Sequence, residues 1–205
     1  MSAAPAVFIV DDDPSVLRAT QRVMRAAGLE TRAFASAREY LDAYDPHAPG
    51  CLVLDLAMPG FSGLELQRAL VARGGAPAIV FVSGHADVPA SVEAMKSGAV
   101  EFLVKPVDAA ALIGAVQAAM EKDRILRDAR AGREQVQKRL GTLTPREAQV
   151  LRCVVTGKLN KQIAAALGTA EKTVKVHRAR MMRKMAVNSL AELVSEWTVN
   201  QPPQL

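Results

Sequence analysis

Short apolar runs alternate with stretches of helical spacing along the first 122 residues. The runs are AVFIV (6–10), LETRAF (29–34), CLVLD (51–55), AIVFVS (78–83) and VEFLV (100–104). They are rich in the β-branched and aromatic residues that strands favour. Between them apolar positions recur every three or four residues, as at Val16, Thr20, Val23, Met24 and Ala27, and again at Leu64, Leu66, Leu70 and Val71. Gly28, Gly74–Gly75 and Gly98 follow three of these stretches, where a helix C-terminus favours glycine. Five strands alternating with five helices predict an α/β fold with an open, doubly wound, five-stranded parallel sheet. The unbroken apolar character of the first, third and fourth runs predicts strands buried on both faces.

The fifth helix should start near Asp108 and carry its stripe through Leu112, Val116, Ala119 and Met120, then Ile125, Leu126 and Ala129. It runs on into the charged stretch RAGREQVQKRL, where Gly132 could interrupt it. Unbroken to Leu140 it would be about 50 Å long. An exposed helical or partly disordered linker and a short dimerising coiled coil both remain open for this segment. From Leu143 onward the spacing is purely helical, over 144–157, 160–168, 170–185 and 189–199. Thr144, Pro145 and Glu147 give an N-cap, a first-turn proline and an acidic first turn; Asn160, Thr169 and Ser189 are further cap candidates. The tail NQPPQL reads as disordered. The chain thus divides into an α/β domain (1–122), a linker that extends the fifth helix (123–141), and an all-α domain (142–205).

Charge sharpens this division. Residues 1–122 hold 10 Lys/Arg against 14 Asp/Glu, a net −4; residues 123–141 hold 6 against 3, a net +3; residues 142–205 hold 10 against 4, a net +6. An acidic module followed by a basic one of about 60 residues points to different partners, with nucleic acid the first candidate for the second. No run of 18 apolar residues is present, and no basic segment precedes the first apolar stretch, so neither a membrane span nor a secretory signal is expected. Cys51 and Cys153 lie about a hundred residues apart in apolar segments and read as buried reduced thiols. No Cys/His cluster has zinc spacing. A cytoplasmic protein is the expectation.

In an open parallel sheet, ligands bind beyond the carboxyl ends of the strands. The strand ends deliver Asp11, Asp12 and Asp13 from the first, Asp55 from the third, Ser83 from the fourth and Lys105 from the fifth. An aspartate at a strand end can be no more than a helix cap, but four such strand ends together are a pattern. Three or more converging carboxylates call for a hard cation with oxygen ligands, Mg²⁺ or Mn²⁺. A carboxylate beside such a cation and an ammonium can act as a nucleophile toward a phosphoryl group.

These residues carry a resemblance. IVDDD, LVLDLAMPGFSGLEL, VSGHAD and VKP resemble the receiver domain of bacterial response regulators over about residues 5–122. The resemblance implies the flavodoxin-like fold, with Asp55 as acceptor of a phosphoryl group from a sensor histidine kinase. It implies Mg²⁺ held by Asp11, Asp12, Asp55 and the Ala57 carbonyl, Lys105 paired with the acidic site, and a cis bond before Pro106. Ser83 and Phe102 stand at the positions that move on activation, although Phe102 can equally be a core aromatic. Ala57 and His85 flank the path of the water that removes the phosphoryl group. The only catalysis implied is the domain's own phosphoryl transfer and dephosphorylation. A separate phosphotransfer enzyme would need an acid/base carboxylate just after Asp55, where the chain has Ala57.

In the basic module, NKQIAAALGTAEKTVKVHRARMMRKM has the form helix, short turn with glycine, second helix. At 100° per residue Val174, Met181 and Met185 fall on one face of the second helix; Lys172, Val176, Ala179, Arg180 and Arg183 fall opposite, flanked by Lys175 and Thr173. Residues 142–200 resemble the LuxR-type helix-turn-helix of the FixJ/NarL subfamily, and KTVKVHRA and MMRKM are nearer the FixJ branch. This implies double-stranded DNA as partner, with Lys175, Val176 and Ala179 facing bases and Lys161, Lys172, Thr173, Arg180 and Lys184 facing phosphates. The whole reads as a two-component transcription factor that dimerises on phosphorylation of Asp55 and works with RNA polymerase. A constitutive DNA-binding dimer with an unphosphorylated receiver is the alternative.

Overall fold

The apolar runs become strands β1 (Ala6–Val10), β2 (Thr31–Phe34), β3 (Gly50–Asp55), β4 (Ala78–Ser83) and β5 (Glu101–Val104) in a computed structural model, which describes residues 4–75, 77–84 and 88–200. All pair in parallel in the order β2-β1-β3-β4-β5. Every residue of β1, β3 and β4 is buried. Alternation sends Leu52 and Leu54 to one side of the sheet, and Cys51 and Val53 to the other.

Helices α1 (Pro14–Ala26), α2 (Ala37–Asp42), α3 (Gly63–Ala72), α4 (Val88–Lys96) and α5 (Ala109–Gly141) separate and follow the strands. Phe8, Leu54 and Phe81 pack with Tyr40 of α2 and Leu66 and Leu70 of α3. Ile9, Val53 and Val80 pack with Leu17 and Met24 of α1 and with Leu112, Val116 and Ala119 of α5. Each fully buried large aliphatic side chain contributes roughly 1.5–3 kcal/mol relative to exposure. β2 starts two residues later than its apolar run suggests. The N–H of Leu29 donates to the Met24 carbonyl at 3.0 Å, so Leu29 closes the end of α1 instead of opening the strand.

Gly132 does not interrupt α5, which runs for 33 residues. The chain divides into two compact units between Arg127 and Asp128, within this helix. On the first unit's side Asp123 is buried, accepts from the Gly50 N–H at 3.0 Å and pairs with Arg127 at 2.6 Å. Arg127 also donates to the carbonyls of His47 (2.8 Å) and Ala48. On the second unit's side Val136 is buried, and Leu140 packs beside it. Residues 128–135 are exposed throughout.

The second unit continues as α6 (Pro145–Val155), α7 (Asn160–Ala166), α8 (Glu171–Met185) and α9 (Leu190–Asn200). Val150, Leu151, Val154, Ile163, Val174, Met181, Met185 and Leu193 form its core, with Trp197 against it. Thr144 caps α6 in a reciprocal box with Glu147, and Ser189 accepts from the Glu192 N–H at 3.1 Å. Asn160 and Thr169 are not caps. Asn160 is already the first residue of α7 and accepts from Arg178 at 3.2 Å. Thr169 lies before Ala170, the N-cap of α8, and its N–H donates to Ala164 at the end of α7.

Glu147 also receives the Lys184 ammonium at 2.7 Å, and this bond, with that from the Thr144 N–H, pulls the carboxyl down to about 2. A depressed carboxyl stabilises the fold above its ordinary range and loses that contribution as pH falls toward its folded value. Lys184→Met should therefore lower the melting temperature of the second unit at pH 7. The gap to wild type should shrink between about pH 5 and pH 2; melts followed by the fluorescence of Trp197, the chain's single tryptophan, check this. Ala186 ends α8 at φ 54°, in the left-handed region. Ala186→Gly should stabilise the same unit by up to about 1 kcal/mol in denaturant titrations.

Candidate functional site

The strand registers set Val10 beside Leu54, Asp55 beside Val82 and Ser83 beside Val104. Asp11, Asp55, Ser83 and Lys105 therefore all emerge at one edge of the sheet. The Lys105 ammonium lies 2.7 Å from Asp11 Oδ2 and 2.8 Å from Asp55 Oδ1, bridging two carboxylates that are 4 % and 5 % exposed. The second oxygen of Asp55 accepts from the Ala57 N–H at 3.0 Å, and the second oxygen of Asp11 from the Asp13 N–H at 2.9 Å. Lys105 is itself fixed, because its N–H donates to the Ser83 carbonyl at 2.7 Å. The Lys105–Pro106 bond is cis.

A cavity of about 270 Å³ adjoins the carboxylates, with Val16, Thr20 and Val23 of α1 and Leu112 of α5 in its wall. Burial raises the Asp55 carboxyl above its ordinary value; the neighbouring Asp11 adds to this, and Lys105 opposes it. For Lys105 burial works against the charge, but the hydrogen bonds and charges of Asp11 and Asp55 outweigh it and raise the ammonium. The result at neutral pH is a carboxylate whose proton affinity is higher than usual, held next to a firmly charged lysine.

Of the three consecutive aspartates, only Asp11 joins the cluster. Asp13 turns away and caps α1 through the Ser15 N–H at 2.7 Å. Asp12 is exposed, and among the described residues no group of three or more metal-ligating side chains stands together. Of the carboxylates expected to converge, Asp11 and Asp55 meet directly on Lys105. Counting the adjacent, exposed Asp12 with them, three carboxylates and one ammonium leave a formal charge of −2. All-oxygen donors of that charge suit a hard divalent cation that keeps several waters.

Ala57 is exposed and Ser83 is buried. Phe102 is half-buried and stacks on Phe81, ring centroids 6.3 Å apart. His85 lies outside the described residues. Gly63, the first residue of α3, sits so close to Asp55 that a Cβ there would come within 2.4 Å of the Asp55 carbonyl oxygen. No side chain could occupy this position without pushing α3 off the end of β3.

In the second unit, Val174, Met181 and Met185 point into the core, as their spacing requires. Lys161, Lys172, Thr173, Lys175, Val176, Ala179 and Arg180 are exposed. Lys175 pairs with Glu171 at 3.2 Å, one turn back on the surface, and such a pair holds it weakly. Lys184 differs from the others. Its ammonium is taken up by Glu147 and by the Thr142 carbonyl at 2.9 Å. These contacts tie α8 to the start of α6. Asp123 and Arg127, which sequence reasoning misses, have one signal in common: charged residues continuing the Leu112–Val116–Ala119 stripe.

Residues 7–117 match the response regulator receiver domain, and residues 141–197 match the bacterial regulatory proteins of the luxR family. Nodulation protein W of Bradyrhizobium diazoefficiens is 46 % identical over 188 residues, 92 % of this chain and 83 % of that protein. Transcriptional regulatory protein FixJ of Azorhizobium caulinodans is 45 % identical over 188 residues, covering 92 % and 89 %. Among solved structures, response regulator StyR superposes with a TM-score of 0.88 at 45 % identity, over 96 % of this chain and 99 % of that one. Full-length FixJ from B. japonicum gives a TM-score of 0.59 at 34 % identity, over 97 % and 98 %. The chain belongs to the response-regulator family, as a transcriptional regulator with a receiver domain and a LuxR-type DNA-binding domain.

Proposed function

We propose that a sensor histidine kinase phosphorylates Asp55, and that the phosphorylated chain dimerises and binds its promoter more tightly. The observation that carries this reading is the buried Asp11–Lys105–Asp55 bridge at the carboxyl edge of the sheet. An Asp55 oxygen forms the new P–O bond while the donor histidine's P–N bond breaks and its nitrogen keeps the electron pair. Lys105, already in place, offsets charge on the transferring group, and Ser83 offers a hydroxyl to a phosphoryl oxygen. Asp11, Asp12, Asp55 and the Ala57 carbonyl would hold Mg²⁺ or Mn²⁺, whose chemistry when bound is to neutralise phosphoryl oxygens. Ala57 leaves one side of the site open to water.

Phosphorylation adds a charge of roughly −1.5 to −2. The response is a rearrangement of α4 and β5, with Ser83 drawn toward the phosphoryl group and Phe102 turning inward. Val88, Val92 and Met95 of α4 and Val104 of β5 are exposed apolar side chains on neighbouring elements, which supports this face as the dimer contact. A dimer presents two recognition helices α8 to two DNA half-sites. On each, Lys175, Val176 and Ala179 face bases, while Lys161, Lys172, Thr173 and Arg180 position the helix on phosphates. RNA polymerase is the further partner this reading implies, and the cytoplasm the compartment. No helix among the described residues is long and apolar enough to cross a membrane.

Beryllofluoride should tighten dimerisation of the wild-type chain in sedimentation and promoter binding in gel shifts, and should do neither for Asp55→Ala. An Asp55→Ala chain that still responds would sink the mechanism. Arg180→Ala should weaken binding to all sequences alike and reduce the slope of log affinity against log salt by about 1. Lys175→Ala should instead relax discrimination between operator variants; binding assays at several salt concentrations distinguish the two outcomes.

A further inference from the structure

Helix α4 is held unevenly. Ala94 is its single buried side chain among the described residues, and Val88 and Val92 in its first half are 68 % and 45 % exposed. Among the described residues, the contacts from neighbouring helices gather at its C-terminal end. Gln67 of α3 donates through Nε2 to the carbonyls of Ala94 (3.3 Å) and Ser97 (3.1 Å). Lys122 of α5 donates to the Gly98 carbonyl at 3.3 Å, and Arg68 of α3 pairs with Glu93. The Ala94 carbonyl also accepts from the Ala99 N–H at 3.1 Å, and Ser97 and Gly98 lie just beyond the last residue of the helix.

Gln67 is the unusual member. It is 2 % exposed and lies on the stripe of α3 otherwise made of Gly63, Leu66 and Leu70. Two acceptors face its amide nitrogen, so the amide orientation is fixed and Oε1 points away. That oxygen is buried and has no partner among the described residues. A leucine or methionine of similar volume would avoid the unmet acceptor, so the residue is explained by what its two N–H groups hold. Its own position is referred to the phosphoacceptor, because Gly63, one turn earlier on α3, rests against the Asp55 carbonyl.

We propose that Gln67 is a positioning residue that fixes the C-terminal end of α4 as a pivot. The signal from Asp55 and Ser83 then swings the exposed first half of the helix instead of displacing the whole. This rests on the reading of Asp55 as the phosphorylated switch. The division of labour follows from the contacts: the half of α4 that carries Val88 and Val92 has no side chain in the core, and the other half is gripped from α3 and α5.

The test uses the full chain with Gln67→Met, and Gln67→Leu as a second variant. Hydrogen exchange without activator should show the amides of Ser97, Gly98 and Ala99 at least tenfold less protected than in wild type, with β3 and β4 unchanged. The beryllofluoride concentration at half-saturation, read on the monomer at low protein concentration, should move less than twofold. The ratio of dimer affinities with and without beryllofluoride should fall at least tenfold. A folded variant with the wild-type ratio, or with unchanged protection at 97–99, overturns the proposal. So does failure of both variants to fold, which would make Gln67 a core residue and nothing more. A wild-type chain that does not respond to beryllofluoride overturns the Asp55 reading itself, and the pivot with it.

Discussion

Two carboxylates end neighbouring strands and share one ammonium. Asp11 and Asp55 lie side by side because β1 and β3 pair in parallel register, and their proximity in a largely apolar surrounding would be untenable without Lys105. Much of the first unit serves that contact. β4 and β5 bring Lys105 into reach, the Ser83 carbonyl holds its backbone, and Gly63 lets α3 begin directly against the Asp55 carbonyl. On the proposed reading the bridge also prepares the site for phosphoryl transfer: burial raises the proton affinity of the Asp55 carboxyl, and Lys105 keeps a positive charge where a phosphoryl oxygen would arrive.

The strand ends are legible because a parallel sheet converts chain position into spatial position. A polar residue just after each apolar run must come out at the same edge, so spacing alone finds Asp11, Asp55, Ser83 and Lys105. The same logic finds the core face of α8, where Val174, Met181 and Met185 repeat at helical intervals. Both families named by resemblance match over the segments that carry the motifs.

Contacts between distant residues are not legible. Lys184 reads as one more cation on a basic face, and only the fold shows Glu147 taking it. Gln67 and Asp123 interrupt apolar stripes, a signal that something polar is buried, but spacing cannot say that their partners lie 27 to 73 residues away. Thr169 has the composition of a cap and loses the role because α8 starts one residue later, with Ala170 at its N-cap. Asp12 is exposed beside the buried Asp11, a difference that a run of three identical residues does not reveal.

The exposed stretch from Asp128 to Gln135 has a consequence for how such a chain can be built. Asp123 and Arg127 complete the first unit's packing, and Val136 opens the second's, so the residues between them belong to neither core. Local helix propensity contributes to their conformation. A crossover between two genes at this seam would leave the described buried residues of each core on their own side of it. Receivers and DNA-binding modules of this kind can therefore be recombined, one input with another output, without redesigning the interior of either.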